Sequence, residues 1–239
     1  MMRTLLLTVT VAGLSLGCSA ASSPAPTPTP QTGPDADVSI DGLHRVDNSV
    51  MGVAYMKPDM DLRGYTSLML DPVSVAYKKD PQGRRTSGVA SGNLANFELT
   101  SRQMSNLKTW FRESVIEALT KDDGYPIVET PGPGVLRVTA DLLDLVVKIP
   151  TENAGMRSQT FTTSFGEVTL VIEARDSQTG EILARAGDRQ DPTRRMGRDL
   201  QVASTPFVRG DTKRLFADWA DLMRERLDQL REIERDSMR

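Results

Sequence analysis

The sequence predicts an α+β domain: a mainly antiparallel sheet with two long helices packed on one face, in the order β-α-β-β-β-β-α. Three observations predict it. Residues 66–120 read as a strand and then an amphipathic helix. Residues 135–188 alternate in polarity and are broken by tight turns, as in an antiparallel meander. After Asp211 the apolar residues return to helical spacing.

Thr66–Tyr77 alternates Leu68 and Leu70 with Met69 and Asp71, and Pro72 demands a bulge or an edge position before Val73 and Val75. Lys78–Asn96 is a polar loop. Leu99–Thr120 is a helix. Thr100 and Gln103 match a capping box, and Met104, Leu107, Phe111, Val115 and Leu119 form the apolar stripe. Gly124 ends it. Tyr125–Thr130 is a short strand, followed by a Pro131-Gly132-Pro133-Gly134 turn. In Val135–Ile149, Leu136, Val138, Ala140 and Leu142 point inward. Leu143, Leu145 and Val147 then switch parity, which predicts a bulge. Phe161–Arg175 is the next strand, Asp176–Gly180 a hairpin turn and Glu181–Asp188 the returning strand. Arg189–Gly210 is a polar loop. Asp211 caps a last helix reaching about Ile233, with Leu215, Trp219, Leu222, Leu227 and Leu230 inward.

Composition narrows the function. The chain has 29 basic and 32 acidic residues and a net charge of −3, which argues against a strongly basic nucleic-acid binder. One cysteine and one histidine exclude an intramolecular disulfide and a multi-histidine metal site. Leu5–Leu16 is uncharged and follows Arg3. It is too short for a spanning helix and suits the apolar region of a secretory signal. Ser19–Pro34 interleaves Pro24, Pro26, Pro28 and Pro30 with small residues. Such a stretch buries too little surface to offset its ordering entropy, so it reads as an extended tether of about 3.1 Å per residue.

The apolar run closes on Leu14-Ser15-Leu16-Gly17-Cys18, which resembles a bacterial lipobox. That resemblance implies cleavage between Gly17 and Cys18 and acylation of Cys18 on its sulfur and its new amine. It divides the chain into a signal over 1–17, a tether over 18–38 and one periplasmic domain over 39–239. Ser19, where an aspartate would signal inner-membrane retention, implies the outer membrane.

Further residues come in a familiar order: Asp41-Gly42-Leu43, Tyr55, Pro58, Tyr65 and Asp71-Pro72-Val73. Gly132-Pro133-Gly134-Val135-Leu136-Arg137, then Asp176-Ser177-Gln178-Thr179-Gly180-Glu181-Ile182-Leu183-Ala184 and Asp188-Arg189, follow. The ordered set resembles a family of bacterial lipoproteins known as domain of unknown function 3313, over about Asp41–Arg235. The resemblance implies an envelope location and a fold, and no activity.

Candidate chemistry is sparse. No Gly-x-Ser-x-Gly elbow occurs, and Cys18 is taken by lipidation, so acyl transfer lacks a nucleophile with its base. Asp141 and Asp144 are three apart on a strand and point to opposite faces unless a bulge intervenes. Met51, Met56 and Met60 with His44 form a loose set of soft ligands suited to copper(I). Their irregular spacing fits core-filling methionines better. No metal or cofactor is expected. Arg84 and Arg85, and Arg194, Arg195 and Arg198, are candidate anion-binding residues, because guanidinium forks match phosphate oxygens.

The expectation is a non-enzymatic, lipid-anchored outer-membrane lipoprotein that binds an envelope protein or component. The membrane is engaged through the lipidated N-terminus, and no nucleic acid is involved. The alternatives are a carrier with an apolar pocket of several hundred Å³ and, last, an envelope hydrolase. The sequence sets no oligomeric state.

Overall fold

The strand expected over Thr66–Tyr77 is broken where Pro72 stands. In a computed structural model that describes residues 28–78, 99–147, 161–162, 166–190, 201–202 and 205–236, β4 (Ser67–Leu70) and β5 (Ser74–Tyr77) are separate strands. Pro72 has no N–H to give to a ladder. The flanking Asp71 N–H donates to the Val138 carbonyl at 3.0 Å. Both pieces lie parallel to one long strand, β7 (Val135–Val147).

The N-terminal region holds three strands that the sequence reading omits. They are β1 (Thr29–Pro30), β2 (His44–Asp47) and β3 (Val53–Met56). Each is too short to show a polarity period, and pairing rather than pattern defines them. This corrects the order β-α-β-β-β-β-α at its start. It also shortens the tether expected over 18–38, because Thr29–Pro30 pairs with β2 and the Gln31 N–H donates to the Arg45 carbonyl.

The remaining elements are α1 (Ser101–Thr120), β6 (Ile127–Val128), β8 (Phe161–Thr162), β9 (Gly166–Asp176), β10 (Ile182–Gln190), β11 (Gln201–Val202) and α2 (Thr205–Asp236). The sheet runs β1-β2-β3-β10-β9-β7-β4-β6, with β5 also on β7. It is mixed and mostly antiparallel; β4 and β5 on β7, and β6 on β4, are the parallel pairs. The strand expected over Phe161–Arg175 is two pieces, and β8 pairs with β11 apart from the main sheet.

Several local devices are where the residues put them. Thr100 caps α1, and its reciprocal bonds with Gln103 complete a capping box. The β7 register shifts between Leu143 and Val146, where Asp144 takes a left-handed φ of 51°. At the hairpin turn the Asp176 carboxylate accepts the N–H groups of Gln178 and Thr179 at 3.0 and 2.7 Å. Those amides hold its carboxyl below the usual carboxylate range, helped by the Tyr65 hydroxyl. Burial and that same carboxylate push Tyr65 up to about 12.

The last helix differs from its expected span. It begins at Thr205, so Asp211 is no cap; it lies inside α2 and is buried. Residues 205–210 therefore belong to helix rather than loop. Pro206 sits in the first turn, where its missing N–H costs no helical bond.

Both helices cover one face of the sheet. Leu107, Phe111, Val115 and Leu119 of α1 join Leu215, Phe216 and Trp219 of α2 over Leu136, Leu142 and Leu170. Phe111 meets Phe216 edge-on at 5.2 Å. Burying each of these side chains contributes roughly 1.5–3 kcal/mol. The opposite face is polar: Arg137 pairs with Asp71, and Arg185 bridges Glu173 and Asp41. An antiparallel sheet can leave such a face to water. No helix among the described residues is long and apolar enough to cross a membrane.

Candidate functional site

The helices run parallel, since contacts along them rise together in number: Trp110 with Arg209 and Lys213, Phe111 with Phe216, Leu119 with Arg224. Two cation–aromatic contacts mark this interface, and their surroundings differ.

The first closes the C-terminal end of α1. Asp122 and Asp123 take left-handed φ values of 49° and 57°, and the Tyr125 N–H donates to the Leu119 carbonyl at 2.7 Å. A Cβ on Gly124 would collide with the Leu119 carbonyl and the Arg224 guanidinium, so glycine is required there. Arg224 of α2 lies 5.3 Å from the Tyr125 ring centroid. Its Nη1 donates to the carbonyls of Ala118, Leu119 and Lys121 at 3.4, 3.2 and 2.9 Å. Its Nε donates to Asp228 at 2.7 Å, and the Tyr125 hydroxyl donates to the same carboxylate. A cation placed on orphan carbonyls at a helix C-terminus is favourable. Its Nε and Nη1 thus tie α2 to the end of α1, and the group is a structural clamp.

The second lies about three to four turns earlier on α2. Arg209 and Lys213 sit 5.1 and 5.4 Å from the ring centroid of Trp110, which is half-buried on α1. They are four residues apart and so share a helix face. Among the described residues neither pairs with a carboxylate. Their neighbour Arg214 reaches Asp211 at 3.4 Å. Asp211 is buried, its Oδ2 has no hydrogen-bond partner, and burial holds its carboxyl above the usual range despite Arg214. The ring quadrupole accepts cations, but it supplies no counter-charge. This pair carries two positive charges with no carboxylate paired to them among the described residues.

None of the residues singled out in the sequence is among those that make this cluster. Gly17 and Cys18 lie outside the described residues, as do Arg84, Arg85, Arg194, Arg195 and Arg198. The last described residues before the two arginine segments stand at one end of the sheet: the Lys78 N–H donates to the Leu145 carbonyl, and Gln190 stands opposite Val168. Met56 is buried, Met51 and Met60 pack on the core, and His44 Nδ1 is 2.6 Å from the Gln31 carbonyl oxygen. Asp141 bonds Ser74, and Asp144 sits in the bulge. Sequence reasoning missed Trp110, Arg209 and Lys213. A helix boundary at Asp211 puts Arg209 in a loop; carried back to Thr205, the same helix places Arg209 and Lys213 at i and i+4, the signal that finds them.

The family model described as protein of unknown function, DUF3313, matches residues 38–223, and the chain belongs to that family. No curated protein matches the sequence. Among solved structures, protein XCC0632 of Xanthomonas campestris, from family DUF330, is similar at 11% identity and a TM-score of 0.42, covering 74% of this chain and 90% of that one. The PelC dodecamer of Paraburkholderia phytofirmans gives 9% and 0.33, covering 72% and 95%. Hypothetical protein CT253 of Chlamydia trachomatis gives 14% and 0.27, covering 72% and 94%.

Proposed function

We propose that this chain is a lipoprotein anchored through Cys18 in the outer membrane, with a periplasmic domain that binds an envelope component or partner protein and performs no catalysis. The Leu5–Leu16 run ending at Gly17-Cys18 supports the anchor. The observation that carries the binding role is the Arg209–Trp110–Lys213 cluster, two cations on one ring without a carboxylate among the described residues. The carrier alternative calls for several hundred Å³ of apolar space. Among the described residues, the cleft between Leu70, Val73, Phe111 and Met223 holds about 20 Å³, too little for such a ligand.

Native mass spectrometry of the protein extracted from its own membranes in mild detergent tests this reading. The expected result is an acylated chain carrying a discrete adduct or a partner. A Cys18→Ser variant is expected to lose the acyl mass. A bare acylated monomer at every protein concentration overturns the binding role, and acyl mass retained on Cys18→Ser overturns the anchor.

A further inference from the structure

We infer that Arg209 and Lys213, braced on Trp110, form a binding site for a phosphate monoester group. This deepens the binding role proposed above and rests on it. Two like charges at i and i+4 on a helix repel, and the ring offsets only part of that repulsion. Elsewhere α2 gives its arginines acceptors: Asp211 to Arg214, Asp228 to Arg224 and Gln229 to Arg226. Arg209 and Lys213 are the exception among the described residues, so an anion seated between them lowers the electrostatic energy of the helix itself.

The charge and shape of the pair select the anion. A carboxylate brings one negative charge and leaves one cation uncompensated. A phosphate monoester carries about −1.5 to −2 near neutral pH and presents three terminal oxygens. The guanidinium takes two of them as a fork, and the ammonium takes the third as a point charge. Contact with the indole restricts the guanidinium before the ligand arrives, so less freedom is lost on binding. Trp110 packs on the core, which removes water from one side of the site and strengthens each charged contact. The same chemistry is offered by a soluble phosphate ester and by the headgroup of phosphatidic acid.

The test uses the full chain in nonionic detergent micelles and reads the two indole N–H resonances, with Trp110→Phe assigning them. The probes are inorganic phosphate alone and, separately, phosphatidic acid mixed into the micelles. Trp219 is an internal control, because its indole donates to Asp188 at 2.8 Å inside the core. A saturable shift of Trp110 but not Trp219 is expected with at least one probe. Inorganic phosphate alone identifies a soluble ester, phosphatidic acid alone a lipid headgroup, and both the shared group. Arg209→Ala and Lys213→Ala are each expected to weaken the response by about tenfold or more, the worth of a charged hydrogen bond. No Trp110 shift with either probe overturns the inference, as does an unchanged response when both cations are replaced. If a partner still appears in the native mass spectrum, the phosphate assignment falls alone; if none does, the binding role falls with it.

Discussion

Arg224 at Tyr125 and the Arg209–Lys213 pair at Trp110 are the same contact made twice. Each sets cations of α2 on an aromatic side chain of, or just after, α1, at 5.1–5.4 Å from the ring centroid. They differ in what else the cation meets. Arg224 faces three carbonyl oxygens and the Asp228 carboxylate. The other pair meets no carboxylate among the described residues. A cation whose donors meet carbonyls and a carboxylate holds the protein together, and removing it exposes the acceptors it served. A cation held in place without a counter-charge contributes little to stability and keeps its electrostatic energy for a ligand. The difference separates a clamp from a site, although composition and ring contact are alike.

The largest effect is expected at Gly124. A Cβ there drives into the Leu119 carbonyl and displaces Arg224, so Gly124→Ala is expected to cost about 3 kcal/mol. Thermal unfolding reads that as a drop of roughly 6–12 °C in a chain of this size. Arg224→Ala comes next, at about 2 kcal/mol, because three carbonyls and Asp228 lose a charged donor that is 22% exposed. Urea unfolding measures it; a cost below about 0.5 kcal/mol would show that the clamp is incidental. Arg209→Ala and Lys213→Ala sit at the bottom of the scale, within about 0.5 kcal/mol of the parent. A large loss there would make the two contacts equivalent and remove the comparison.

Two carboxylates, one on α2 beside the Trp110 cluster and one at the hairpin, respond oppositely to pH. Burial raises the Asp211 carboxyl in the folded state, so its contribution is present below the ordinary value of 3.8 and is lost as pH rises through the raised one. Asp211→Asn is therefore expected to gain stability relative to the parent as pH rises from about 4 to 7. Asp176 is lowered, chiefly by the Thr179 amide, so its contribution is present above 3.8 and is lost as pH falls through the lowered value. Asp176→Asn is expected to flatten acid unfolding at the hairpin. Urea midpoints at several pH values separate the two.

How much of this was readable in the sequence depends on how local each cause is. The Thr100–Gln103 box, the Leu143–Val146 bulge and the Asp176–Gly180 turn each rest on a few adjacent residues, and all three are in the structure. The start of α2 was hidden. Pro206 and Gly210 read as breakers, and an aspartate before an apolar stripe reads as a cap. Packing overrides the roughly 1 kcal/mol that a helical glycine costs, and Asp211 goes inward with the stripe. The strands β1 to β3 were hidden because short edge elements draw their stability from pairing. The Trp110 cluster joins residues about a hundred positions apart, so it needed the parallel helix pair to become visible.

The most direct test of the clamp-and-site distinction is one phosphate titration of the Trp110 indole resonance, run side by side in Arg224→Ala and in Arg209→Ala. The account predicts that Arg224→Ala, although less stable, responds as the parent does, and that Arg209→Ala, although as stable as the parent, responds about tenfold more weakly or more so. Equal responses in the two variants would contradict it.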